Sequence, residues 1–338
     1  MTALAEPRFD HLLDMSDWRG TFEHALLTEP RPEHGYCTDD VARVLIVAVR
    51  EPRPSRALRD LAEVSLRFLG QAQGFDGDSR NRMDVHGRWR DRASLGDCWG
   101  RSIWALGTAA RRAPDGWMRD VAAARFERGA RGRSPWLRPM AFAAIGAAEM
   151  LAVRPEHRVA HELLVAAAEQ LPPDGAEEGW PWPEERLTYA NAVVPEAMIA
   201  AGAALARPEL VRRGLDLLGW LLDHETADGH LSVTPTGGSG PDDARPAFDQ
   251  QPIEVAALAD ACARAAVLEP DDDRWVLGVE RCVDWFLGDN DGAHVMWDPA
   301  TGGGYDGLQS HGPNLNQGAE STLAALATLQ HARNLVAR

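Results

Sequence analysis

The sequence predicts an all-α protein, a toroid of (α/α)6 type with six inner and six outer helices and a small β-hairpin in one loop. Three observations predict it. Apolar residues recur with a helical period along most of the chain, strand signals are few and short, and two kinds of helix alternate six times.

Spacing and caps predict helices over 8–14, 39–50, 55–73, 95–112, 116–128, 135–152, 156–170, 190–206, 208–226, 251–267, 272–288 and 318–336. Those starting near 39, 95, 135, 190, 251 and 318 are rich in Ala, Gly, Leu and Ile on most faces. Ala141 to Gly146 and Val255 to Ala259 are examples. Helices apolar nearly all round are buried, so these are the inner set. The intervening helices carry a polar face, such as Arg56, Arg59 and Glu63, or Arg212, Arg213 and Asp216. They are the outer set. Strand signals reduce to a hairpin, Asn81–Val85 with Arg88–Arg92 around His86-Gly87, and to Leu231–Thr234. The Gly/Pro-rich stretch Thr236–Ala247 is a surface loop rather than a linker.

A chain of 338 residues is long for one ordinary core and would suggest two domains. A ring of repeated helix pairs escapes that limit, because each pair adds a slice of core. One domain spanning 1–338 is therefore expected. The formal charge of −16 argues against nucleic acid or an anionic membrane as partner. The chain has no lysine, so every fixed cation is Arg. Met1–Asp14 lacks the apolar core of a signal peptide, and no apolar run reaches the ~20 residues of a membrane span. Cys37, Cys98, Cys262 and Cys282 form no CxxC pair and read as reduced thiols. A cytoplasmic location is the expectation.

Five of the six inner helices follow a loop dense in chemistry. These are His34 to Asp40; Arg88 to Asp97; Trp180 to Tyr189; Phe248 to Glu254; and Asn314 to Glu320. The sixth, Arg133 to Trp136, is plainer. In an alternating ring all inner helices point the same way, so their N-terminal loops converge on one mouth. Aromatics, acids and amides then share one cleft.

The stretches His34–Arg43, Leu187–Ala192, Phe248–Glu254, Gly303–Gly307 and Asn314–Thr322 span almost the whole chain. Together they resemble a bacterial six-hairpin family, glycosidase-like and often labelled glycosyltransferase, and within it the endo-α-mannanases. The resemblance implies a polysaccharide substrate, carboxylate chemistry and no cofactor. It also implies substrate contacts at His34, Tyr36, Tyr189, Asn191, Asp249, Gln250, Gln251, Tyr305, Asp306 and Asn316. Val41 and Ala190 depart from the pattern, standing where relatives commonly carry Asn and Asp.

Glycosidic cleavage needs one protonated and one ionised carboxyl group in differently tuned settings. Asp39 and Asp40 follow Thr38 at a helix start, where Thr38 reads as an N-cap and first-turn acids also favour the dipole. The dense polar loop before them favours a catalytic base. Glu254 follows Pro252 and precedes an apolar run, a setting that raises a carboxyl pKa and suits a general acid. Asp39, Asp40 and Glu254 are thus the catalytic candidates. Glu320 and Asp97 are read as substrate contacts. Trp faces suit the C–H faces of sugars, and Trp89, Trp180, Trp182 and Trp297 lie in loops. No HExxH, Cys/His cluster or EF-hand spacing occurs, so no metal is expected.

The expected activity is inverting, endo-acting hydrolysis of an α-mannan-type chain. A non-catalytic carbohydrate-binding partner of a glycosyltransferase competes with it. A uronate lyase would need a more cationic cleft. An epimerase would rely on paired His bases, whereas only His34 sits in a dense loop.

Overall fold

The computed structural model describes residues 6–171 and 179–336. Residues 1–5, which begin the segment inspected for a signal peptide, lie outside the described residues, as do 172–178 and 337–338. Twelve α-helices occupy the described residues: α1 Asp10–Asp14, α2 Thr38–Arg50, α3 Arg56–Ala72, α4 Asp97–Arg112, α5 Gly116–Gly129, α6 Leu137–Leu151, α7 Arg158–Gln170, α8 Val193–Ala204, α9 Pro208–His224, α10 Pro252–Leu268, α11 Arg274–Leu287 and α12 Ala319–Val336.

The ring closes as the alternation requires. Helix α2 packs on α4, α4 on α6, α6 on α8, α8 on α10, α10 on α12, and α12 back on α2. Helices α3, α5, α7, α9 and α11 each cover the inner helix that precedes them, and α1 packs on α12. Composition explains the layering. Every residue of α2 from Asp40 to Val49 is buried, whereas α3 buries one face and keeps Arg56, Arg59 and Glu63 exposed. Where α4 crosses α6 the backbones meet at Gly107 and Gly146, and a Cβ on Gly107 would run into the Gly146 carbonyl.

Several local expectations are corrected. Helix α1 has five residues, so the sixth outer position is a stub. Thr38 is not a cap: Cys37 holds the N-cap position, and the Thr38 hydroxyl donates to the Arg80 carbonyl at 2.7 Å. The predicted hairpin is present but short, a bridge from Met83 to Trp89 flanked by the Asp84 amide donating to the Arg88 carbonyl at 3.0 Å and the Arg90 amide donating to the Arg82 carbonyl at 2.8 Å. Strand β1 (Tyr36–Cys37) also pairs with β2 (Arg82–Met83), tying the loop before α2 to the loop before α4. The strand expected at 231–234 is His230–Leu231, paired with Thr226–Ala227. Two more hairpins, Ala25–Leu26 with Glu29–Pro30 and Leu308–Gln309 with Gly312–Pro313, were not legible. Two-residue strands leave no alternation to read.

Candidate active site

The first turns of the inner helices do converge. A cavity of about 330 Å3 opens at their N-terminal mouth, walled by Asp39 and Asp40 of α2, Asp97 of α4 and Glu320 of α12. Asp306, Glu23, Gln251 and Tyr189 come from the loops between. Three guanidinium groups enter it, Arg43, Arg82 and Arg101.

Pairing of β1 with β2 fixes Asp39. The Thr38 amide donates to the Asn81 carbonyl at 2.9 Å, and the Asn81 side-chain amide donates to Asp39 Oδ2 at 2.9 Å. The other oxygen, Oδ1, is buried and accepts no hydrogen bond; Arg101 Nε stands 3.5 Å from it. Asp40 is more deeply held, 2.7 Å from Arg43, with its carboxyl pushed up by burial and only partly drawn back by that cation. Arg43 also meets Glu320 at 2.7 Å. Burial pushes the Glu320 carboxyl up, but Arg43 and Arg101 outweigh it and leave it below the usual range. Asp97 is raised, first by burial, with Arg101 opposing and the Asp39 charge adding. The Tyr189 hydroxyl is raised by burial and by the neighbouring Asp97 charge. Asp306 is likewise raised by burial and by Glu320, and accepts from the Ser321 hydroxyl at 3.1 Å. The cavity therefore holds acids of both kinds, Glu320 kept ionised and Asp40, Asp97 and Asp306 biased towards the protonated form.

Glu254 lies outside the cavity wall, 3% exposed. Burial pushes its carboxyl up to about 8, and the Glu225 charge adds to that. Both oxygens are nevertheless turned onto the turn before α8. They accept the amides of Ala190 and Asn191 (3.0 Å for Asn191) and the Asn191 side chain at 3.0 Å. Ala190 sits there with φ 46°, a conformation unusual for a residue with a Cβ. In this arrangement Glu254 anchors a turn and has no oxygen directed at a ligand.

Other predicted contacts are also structural. The Tyr36 ring is buried between Phe22 and Phe68, its hydroxyl donating to Asp17 at 2.7 Å. Asn191 is fully buried, and its side-chain oxygen accepts from the Thr188 amide and from Arg138. Gln250 is fully buried against Asp291 and Trp285. Asn316 bonds to Ala25 and His24. Trp180 and Trp182 form a cluster with Trp220 and His224 rather than a platform, and Trp297 is buried. Trp89 packs edge-on against Phe68. Asp249, Tyr305 and His34 do not reach the cavity wall; the His34 ring is 4.9 Å from that of His24, which does.

Reading the sequence missed the three arginines, Glu23 and His24. Arg43 and Arg101 had a signal: each is a cation in the first half of a mostly apolar helix, four residues after Asp39 and Asp97, whereas the other arginines of these helices stand at their C-terminal ends. Among the described residues, Glu23, Cys37 and Asp40 also bring three metal-capable atoms within 4.8 Å of one another. Arg82 already bonds Glu23 and Arg43 already bonds Asp40, so two fixed cations occupy the positions a metal ion would compete for.

No family model and no curated protein matches the chain. Solved structures do. A sugar epimerase from a ruminal bacterium superposes with a TM-score of 0.72 at 13% identity, over 98% of this chain and 97% of that one. Cellobiose 2-epimerase from Spirochaeta thermophila gives 0.68 at 14%, over 98% and 95%. The cellulase Cel9M of C. cellulolyticum gives 0.61 at 9%, over 96% and 97%. At these identities the likeness is one of fold, the (α/α)6 toroid on which those sugar-processing enzymes are built.

Proposed function

We propose that the protein is a glycoside hydrolase that cleaves an α-mannan-type chain from within, with Asp97 as general acid and Asp39 as general base. The observation that carries this reading is the pair itself. Asp39 lines the cavity with a carboxylate whose Oδ1 accepts no hydrogen bond and has Arg101 3.5 Å away, and Asp97, biased towards its protonated form, lines the same cavity. A proton donor and an activator of water are the two groups hydrolysis requires. Asp40 is spent on Arg43, and Glu254 becomes a positioning residue for the turn that carries Tyr189. The mannan substrate rests on the motifs' resemblance to the mycobacterial endo-α-mannanase of methylmannose polysaccharide, and inversion rests on fold analogy. The test is incubation with manno-oligosaccharides, methylated and unmethylated, with products followed by mass and by NMR. Shorter chains with a new β-anomeric end are expected. A product of retained configuration would replace the base by a nucleophile, and unshortened chains would reject hydrolysis.

One observation favours a second reading, sugar epimerisation. His24 lines the cavity with His34 edge-on behind it, and an imidazole there is placed for proton transfer. The same incubation separates the two, because an epimerase alters one sugar without shortening the chain.

A further inference from the structure

The cavity has a neighbour. A second chamber of about 250 Å3 opens between the starts of α4, α6 and α8. A single water needs only roughly 10–15 Å3 of such space. Asp97 and Tyr189 line both chambers, so they form the partition between them. The far wall is Trp136, the N-cap residue of α6, whose indole is 58% exposed. What sets Trp136 apart from other exposed aromatics such as Trp18 and Phe75 is that it lines a formed chamber, where a ligand can cover its ring.

The rest of the wall is built and fixed. Arg138 is 5% exposed and donates to the Tyr189 carbonyl at 2.5 Å, to Glu184 at 2.9 Å and to Asn191 at 3.1 Å. Its guanidinium also lies 4.9 Å from the centre of the Tyr189 ring. These bonds lock the 184–191 loop against α6 and hold the Glu184 carboxylate, 35% exposed, at the chamber edge. An indole face opposite a carboxylate and a tyrosine is the chemistry that takes a pyranose ring: apolar C–H surface on one side, hydroxyl groups on the other.

We propose that this second chamber is a binding subsite for the sugar on the far side of the scissile bond, with Trp136 as its stacking platform. The inference rests on the carbohydrate reading above and extends it past Asp97 into the neighbouring part of the mouth.

The test is calorimetric titration of mannose and of a manno-oligosaccharide series into Asp39→Asn protein, so that bound chains stay intact, with Trp136 kept, changed to Ala, or changed to Phe. Oligosaccharides should bind more tightly than mannose. Trp136→Ala should weaken the oligosaccharides about tenfold, the scale of one aromatic platform, and leave mannose and the melting temperature unchanged. Trp136→Phe should retain most of the gain. Equal loss for mannose and oligosaccharides, no loss for either, or no oligosaccharide binding at all overturns the subsite. Turnover is scored separately in protein with Asp39 intact. Cleavage that is indifferent to Trp136 rejects the subsite alone. Binding that depends on Trp136 without cleavage supports the subsite and rejects the hydrolase.

Discussion

Arg43 divides one guanidinium between two carboxylates, Asp40 and Glu320, each at 2.7 Å. Removing it would strand a carboxyl that is 5% exposed and release Glu320 towards a higher pKa. Arg43→Ala should therefore cost about 3 kcal/mol or more in denaturant unfolding, whereas a loss under 1 kcal/mol would mean the network is solvated. Glu254 gives a second expectation at this scale. Its carboxyl is pushed up to about 8, so the folded state holds the proton more tightly than the unfolded chain. That contribution to stability is complete below the unfolded value of ~4.3 and is lost as pH rises through about 8. The stability difference between wild type and Glu254→Gln should shift against wild type across that window, and a pH-independent difference would contradict it. At the residue level the acids were legible and their roles were not. Asp39, Asp97 and Glu320 stand at helix starts that the pattern locates. Glu254 looks identical in sequence, but a turn 64 residues upstream captures it. The Trp180–Trp182 pair reads as a platform until the Trp220 and His224 rings of α9 cover it.

Helices α4 and α6 show what sets the spacing of the elements. Gly107 and Gly146 let the two backbones touch, and no side chain can move aside to admit a methyl group there. Gly107→Ala should destabilise by about 1–3 kcal/mol, the range for overpacking, although Ala is the better helix former. A more stable variant would mean the two backbones have room to part there. Because Trp136 and Asp97 stand on these two helices, the same variant should also disturb the chamber between them. Helix number and type were legible because each inner helix is apolar on all sides and each outer one on a single face. Helix α1 was over-read, since a short apolar run before a loop carries the same signal as a full helix. The hairpins, held mainly by backbone bonds at loop ends, leave almost no trace in side-chain pattern.

Across the whole molecule the two ends of the ring differ in charge balance. Acids outnumber arginines at the front, where the helix N-termini favour them, whereas a back cavity of about 700 Å3 sets Arg50, Arg111, Arg112 and Arg264 against Glu149, Glu196 and Asp260. An apolar neck including Ile46, Trp104, Phe142, Val193 and Leu323, with only about 40 Å3 of free space, separates the two. Ring closure itself, α12 onto α2, joins the ends of the chain and is invisible to any local pattern; only the sixfold alternation hinted at it. The proposed hydrolysis puts Asp39 and Asp97 to work at the front mouth with Glu254 supporting them from behind. The most direct test measures cleavage of manno-oligosaccharides by wild type, Asp39→Asn, Asp97→Asn and Glu254→Gln, each first shown to be folded. Wild type should cleave, and the two Asp variants should lose at least ~10²-fold in turnover with their substrate binding kept, while Glu254→Gln retains measurable activity. Full activity in Asp97→Asn alongside a dead but folded Glu254→Gln would contradict the assignment and return the acid role to Glu254.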